Sequence, residues 1–181
     1  MVRLRELERK DINEINLWRN KYGLIAMLGA PYRYINEEID LKWYENYMCR
    51  RNNTIRCAIV EETDKIQGLV SLTNIDYINR SAEFHLMIGL EENQNKGLGS
   101  FAVSEMLRHA FEDINLERVE LNVLKSNDKA KYLYEKMGFV CEGERRRSIY
   151  KNGQYDNMLI YSILKSEYSN CKKRNIYSLQ V

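Results

Sequence analysis

No two cysteines in this chain stand in a CxxC spacing: Cys49, Cys57, Cys141 and Cys171 lie far apart. Neither a disulfide framework nor a zinc site is expected, no metal is expected at all, and free thiols suit a reducing compartment. Proline occurs once, and there is no low-complexity tract or internal repeat, so nothing marks a linker. No stretch approaches the roughly 20 apolar residues of a membrane span. The opening MVRLRELERKD also lacks the apolar core of a signal peptide. The expected address is the cytoplasm, with no membrane partner. An excess of one charge is missing too, since the formal net charge is +2, too little to draw the chain to nucleic acid. What is present is a 181-residue chain, 44% hydrophobic and 30% charged, long enough for one domain with a sizeable core. We expect that domain over 1–168 and a loosely attached tail over 169–181.

Hydrophobic spacing lays out the elements. VRLREL (2–7) alternates as a strand, and DINEINLWRN (11–20) reads as a helix that Asp11 can cap. Ile35, Ile39, Trp43 and Tyr47 recur every four positions, which predicts a second helix over 35–48. TIRCAIVEE (54–62) and KIQGLVSLTNID (65–76) form a hairpin around ETDK. In SAEFHLMIGL (81–90), Ala82, Phe84, Leu86 and Ile88 face one layer, while Glu83, His85 and Met87 face the other. A helix follows, with Val103, Met106, Leu107, Ala110, Phe111 and Ile114 on one side; His109, near its end, fits a polar structural role. RVELNVL (118–124) is a strand with Val119, Leu121 and Val123 inward. The helix over 126–139 carries a Ser126 or Asn127 cap and a Gly138 terminator. Residues 140–164 read as a hairpin closed by Asn152-Gly153. The order β-α-α-β-β-β-α-β-α-β-β predicts an α/β (α+β) fold, one mixed sheet with helices on both faces.

Gly97 and Gly99 stand where the chain enters the long helix. Glycine there permits a tight turn and leaves amides uncovered, and the first helical N–H groups attract an anion such as phosphate. A Walker string is absent, and GLGSFA lacks the third glycine of the dinucleotide fingerprint. Taken alone, the loop predicts only an anion at a helix start.

Two longer patterns say more. QNKGLG (94–99) matches the Q/R-x-x-G-x-G/A pyrophosphate loop of the GNAT N-acetyltransferases. NDKAKYLYEKMGF (127–139) matches that family's second motif, N-x-x-A-x-x-x-Y-x-K-x-G-F. Over 2–168 the chain resembles this family. RSAEFHLMIG, GFVCEGE and NGQY look most like its bacterial spermidine branch, which adjoins the acetylators of ribosomal-protein N-termini. The resemblance implies the GNAT fold, a mostly antiparallel sheet of about seven strands, and acetyl-CoA as co-substrate in a V-shaped opening. It implies the pantetheine arm on the backbone of Leu86, Met87 and Ile88. It puts the pyrophosphate on Gln94, Asn95, Lys96, Gly97, Leu98, Gly99 and Ser100, with Asn127 and Lys129 beside the cofactor. Self-association also follows from it, because the spermidine branch assembles into rings.

The reaction sets its own needs. An amine of pKa near 10.4 is only about 0.04% neutral at pH 7, so a proton must leave before attack on the thioester. Glu83, acting through water, is the favoured base, with His85 on the same face as a relay or simply a hydrogen-bonded neighbour. Tyr134 stands where the family places the proton donor for the departing thiolate, and a phenol stays protonated at neutral pH. Tyr132 or Phe139 fits a purely packing aromatic better.

The expected acceptor is a primary amine of a small molecule, a polyamine such as spermidine or spermine, or an amino sugar. A protein N-terminal amine, or a silent acetyl-CoA-binding module, are the alternatives. Glu37, Glu38 and Asp40, together with Glu142 and Glu144, could draw a polycation. Against that, LGAPYRY has Gly29 and Ala30 where spermidine enzymes carry an acidic pair. Arg145, Arg146 and Arg147 would suit an anionic substrate, the cofactor's terminal phosphate, or an exposed strand end.

Overall fold

The computed structural model describes residues 2–89, 97–174 and 176–177. Gln94, Asn95 and Lys96 of the expected cradle lie outside these. Seven strands form one sheet in the order β1-β2-β3-β4-β5-β7-β6. They are β1 (Arg3–Glu6), β2 (Ile55–Val60), β3 (Ile66–Asp76), β4 (Ser81–Ile88), β5 (Arg118–Leu124), β6 (Val140–Lys151) and β7 (Gln154–Leu164). All neighbours run antiparallel except β4 and β5. The helices are α1 (Ile12–Arg19), α2 (Tyr22–Ala26), α3 (Glu37–Cys49), α4 (Leu98–Arg108), α5 (Asp128–Lys136) and α6 (Lys165–Lys173).

Each face of the sheet buries its own cluster. On one face, Val103, Met106 and Leu107 of α4 pack on Ile59, Val70, Leu72, Phe84 and Leu121. On the other, Ile12, Ile15 and Trp18 of α1 and Tyr47 of α3 cover Ala58, Val60 and Ile66. Each such side chain contributes about 1.5–3 kcal/mol by leaving water. Of the inward sets expected on β4 and β5, Ala82, Phe84, Val119, Leu121 and Val123 are buried, while Leu86 and Ile88 are half-buried against the same cluster.

The parallel pair matters most for function. β4 meets β5 only through Ser81, Ala82 and Glu83 against Arg118, Val119 and Glu120. Beyond these residues β4 continues with β3 as far as Ile88 opposite Gly68, while β5 continues with β7 to Leu124 opposite Met158. The two strands therefore part after Glu83, leaving the β5 side of residues 84–88 without a strand partner among the described residues. That gap is the V.

Several expectations need correction. Asp11 does not cap α1; it is buried, and both its carboxylate oxygens accept from Arg5, at 2.7 and 2.8 Å. On α3, Ile39 is 51% exposed and Asp40 is wholly buried. A four-residue repeat drifts about 40° per step around a helix of 3.6 residues per turn. The inward face is instead set by Asp40, which accepts from Arg19 and, at 2.7 Å, from Asn16. The short α2 has no counterpart in the expected order. After Arg108, α4 passes into a π-helical turn, His109–Asp113, where His109 bonds Asp113 at 2.8 Å. The boundary expected at Tyr168 falls inside α6, so 169–173 are not a loose tail. Tyr168 is buried against Phe111, and the Tyr177 hydroxyl donates to the Met137 carbonyl at 2.9 Å.

Candidate active site

The parted strands open into a cavity of about 1370 Å³. A pocket for one drug-sized ligand occupies roughly 300–1,000 Å³, so there is room for a long donor and a second molecule. The wall brings together Glu83, Leu86, Met87, Ile88, Gly97, Gly99, Ser100, Asn127, Lys129 and Tyr134. Leu98 is the exception among the described candidates: its side chain is 2% exposed and lies in the core beneath α4. Its amide still sits in the first turn, where N–H groups have no partner within the helix.

Gly97 is the residue before α4 and has φ 83°, a left-handed conformation that favours glycine. Gly99 lines the cavity and also has a packing role. A Cβ there would lie 3.1 Å from Leu133 Cδ2, so this glycine lets α4 approach α5. Asn127 caps α5 by accepting from the Ala130 amide at 3.1 Å. It also donates to the Met27 carbonyl at 2.8 Å, tying the segment after α2 to the mouth of the cavity. Lys151 holds the same segment by donating to the carbonyls of Ile25 and Leu28.

Tyr134 is 7% exposed and packs edge-on against Phe84 and Phe139, with ring centroids 6.1 and 5.6 Å away. Dehydration pushes its phenol above the ordinary range, so it stays protonated at every physiological pH. Among the described residues no group hydrogen-bonds its hydroxyl. Tyr134 is thus both a packing residue and a wall of the cavity. Phe139 is buried as a packing residue, whereas Tyr132 is 69% exposed and is not.

Glu83 projects on the α1–α3 side of the sheet, opposite the side that holds Phe84. Its carboxylate accepts from Asn74 Nδ2 at 3.0 Å and from Asn122 Nδ2 at 3.2 Å. His85 Nε2 lies 3.8 Å from it and 2.9 Å from Thr73 Oγ1. Burial and the charge of Arg56 lower the His85 pKa, with Glu83 acting in the opposite sense, which favours a neutral imidazole at pH 7.

Three of the five carboxylates expected to attract a polycation are engaged elsewhere. Asp40 is held by Arg19, Glu142 by Arg118 and Ser162, and Glu144 by Lys125 and Asn157. Glu37 and Glu38 are exposed in the first turn of α3. The arginine run lies within β6 and not at a strand end. Arg145 lines the cavity, while Arg147 sits in a left-handed bulge over the ring of Tyr155, 4.8 Å away. Arg56 and Trp43, both unanticipated, also line the cavity, with the guanidinium 4.7 Å from the indole centroid. Arg56 Nε is buried without a hydrogen-bond partner, and dehydration lowers its pKa. Asn122 could have been found by alternation, since it lies between the inward Leu121 and Val123; Asn74 carried no such signal.

A free strand edge, an open helix start and a protonated phenol around one large cleft define a transferase that takes its group from a long, anionic donor. The model of the acetyltransferase (GNAT) domain matches residues 2–140, and the chain belongs to that family. It is an N-acetyltransferase that uses acetyl-CoA. It is 37% identical over 169 residues to the spermidine N(1)-acetyltransferase of Vibrio cholerae, covering 92% of this chain and 95% of that one. The Escherichia coli K12 spermidine N(1)-acetyltransferase is 33% identical over 168 residues, 92% of this chain and 88% of the other. A putative ribosomal N-acetyltransferase of Bacillus subtilis is 36% identical over 101 residues, 56% of this chain and 55% of the other. Among solved structures, the Vibrio cholerae spermidine N-acetyltransferase in complex with CoA and spermine superposes with a TM-score of 0.86. That pair is 32% identical, over 93% of this chain and 98% of that one. Among the described residues no cluster of His, Cys, Asp or Glu could hold a metal ion, and no helix is long and apolar enough to cross a membrane.

Proposed function

We propose that the acceptor is a primary amine of a polyamine, that Glu83 removes its proton and that Tyr134 protonates the leaving thiolate. The observation that carries the catalytic roles is that Glu83 and Tyr134 line one opening at the point where β4 and β5 part. The polyamine reading is supported by the two spermidine acetyltransferases that match nearly the whole chain.

Acetyl-CoA supplies an acyl group activated as a thioester. The β4 edge over Leu86, Met87 and Ile88 offers backbone groups to the pantetheine arm. The amides of Leu98, Gly99 and Ser100 at the start of α4 would receive the pyrophosphate; Gln94, Asn95 and Lys96, expected beside them, lie outside the described residues. Lys129 adds a positive charge, and the second amide hydrogen of Asn127 is available to the donor. Glu83, as the carboxylate of the cavity wall, attracts the ammonium form of the acceptor and takes its proton, directly or through water. Tyr134, protonated and uncommitted to another acceptor, is suited to donate its proton to the sulfur as the C–S bond breaks.

One observation favours a second reading. Arg56 and Arg145 face the cavity without a carboxylate partner among the described residues, which suits an amine acceptor that also carries an acidic group, such as a phosphorylated amino sugar. A thiol-release assay separates the two over a panel of spermidine, spermine, amino sugars with and without phosphate, and N-terminal peptides. Turnover of spermidine or spermine in preference to the rest is expected. Turnover confined to the acidic acceptors would replace the polyamine reading, and turnover with none of the panel would remove both.

A further inference from the structure

Glu83 is held from both sides. Asn74 reaches it from β3 at 3.0 Å and Asn122 reaches it from β5 at 3.2 Å, one amide on each carboxylate oxygen. Neither contact is a by-product of regular pairing. In β3, register slips between Thr73, opposite Glu83, and Asp76, opposite Ser81, so β3 carries one residue more than β4 there. Asn74 lies within that bulge with φ 51°, a left-handed conformation that asparagine tolerates better than most residues. The bulge turns its amide toward Glu83. On the other side, Asn122 stands two residues past Glu120, the last β5 residue paired with β4. The widening gap leaves its side chain free to span from β5 to Glu83.

We propose that Asn74 and Asn122 are positioning residues that fix the Glu83 carboxylate in one orientation, facing the acceptor amine. An amide NH₂ only donates and an ionised carboxylate only accepts, so both contacts are made by the ionised base. Each occupies one lone pair and leaves the others to the amine or to a bridging water. Without them the side chain would sample several rotamers, and its lost alignment with the amine would appear in the chemical step. The inference rests on Glu83 being the base, and it holds whichever amine is the acceptor.

Asn74→Gly removes one amide while suiting the left-handed backbone better than asparagine does. Asn122→Ala removes the other amide without adding a charge beside Glu83. Both should melt close to wild type and bind CoA with unchanged affinity. Each should lower kcat by about tenfold, part of the 10²-fold or more expected of Glu83→Gln as loss of a general base, with KM for the amine changed less than twofold. In a Glu83→Gln background the same substitutions should have little further effect, because they act through the carboxylate. Unchanged kcat in both variants, or losses that multiply fully with that of Glu83→Gln, would overturn the positioning role. Full activity of Glu83→Gln itself would instead remove Glu83 as the base.

Discussion

At the scale of single residues, the reaction asks two groups to hold opposite protonation states at one pH. Tyr134, the proposed acid, is kept protonated by dehydration against Phe84 and Phe139. Because its ring also fills the core, the informative substitution is Tyr134→Phe. Tyr134→Ala would add a cavity costing about 3–5 kcal/mol. Tyr134→Phe should lower kcat on the order of 10²-fold, as expected for loss of a general acid, while CoA affinity, read by calorimetry, is retained. Unchanged turnover would take Tyr134 out of the chemistry. Its place in the second motif made it visible in the sequence. Asn74 was not visible, because the bulge that aims it depends on the register of two strands.

At the scale of elements, the part of the fold carried by local chemistry was legible. The Asn152-Gly153 turn, the Gly138 stop after α5 and the alternation of β4 and β5 all appear as read, with Asn152, Gly153 and Gly138 at positive φ. The misreadings share a cause. The face of α3 and the role of Asp11 were set by buried ion pairs with Arg19 and Arg5, arginines brought near only by folding. A long-range ion pair also ties β5 to the edge strand β6. Arg118 of β5 donates to Glu142 of β6 at 2.6 and 2.7 Å, and Ser162 of β7 adds a third bond. Together they lower the Glu142 carboxyl from an ordinary 4.5 to about 2. The stability gained is complete above about pH 4.5 and declines as pH falls toward 2. The pair is partly exposed, so its worth is at most about 1 kcal/mol. Urea unfolding of Glu142→Gln should show a deficit near that size at pH 7 that shrinks by pH 3. A deficit independent of pH would assign the loss to packing.

At the scale of the whole molecule, the site exists because the sheet fails to close at its middle. The cleft draws on α1, α2, α3 and the β6–β7 hairpin as well as on the two motif segments. A single sequence shows motifs that lie in consecutive residues, and so Gly97, Gly99, Asn127 and Tyr134, which line one cavity, could be named from it. The rest of the wall includes Arg56 and Trp43, far apart in the chain and outside both motifs, so no consecutive pattern marked them as site residues. On the proposed mechanism, the parting of β4 and β5 would let a donor enter from the α4 side and meet an amine on the α1–α3 side.

Hydrogen–deuterium exchange with and without CoA tests that claim most directly. Exchange should slow over 84–88, the free edge of β4, and over 97–100, the start of α4, while the tip of the hairpin around 150–155 is unaffected. If CoA binds and those two segments exchange as they do in the free protein, the donor lies elsewhere and the account fails.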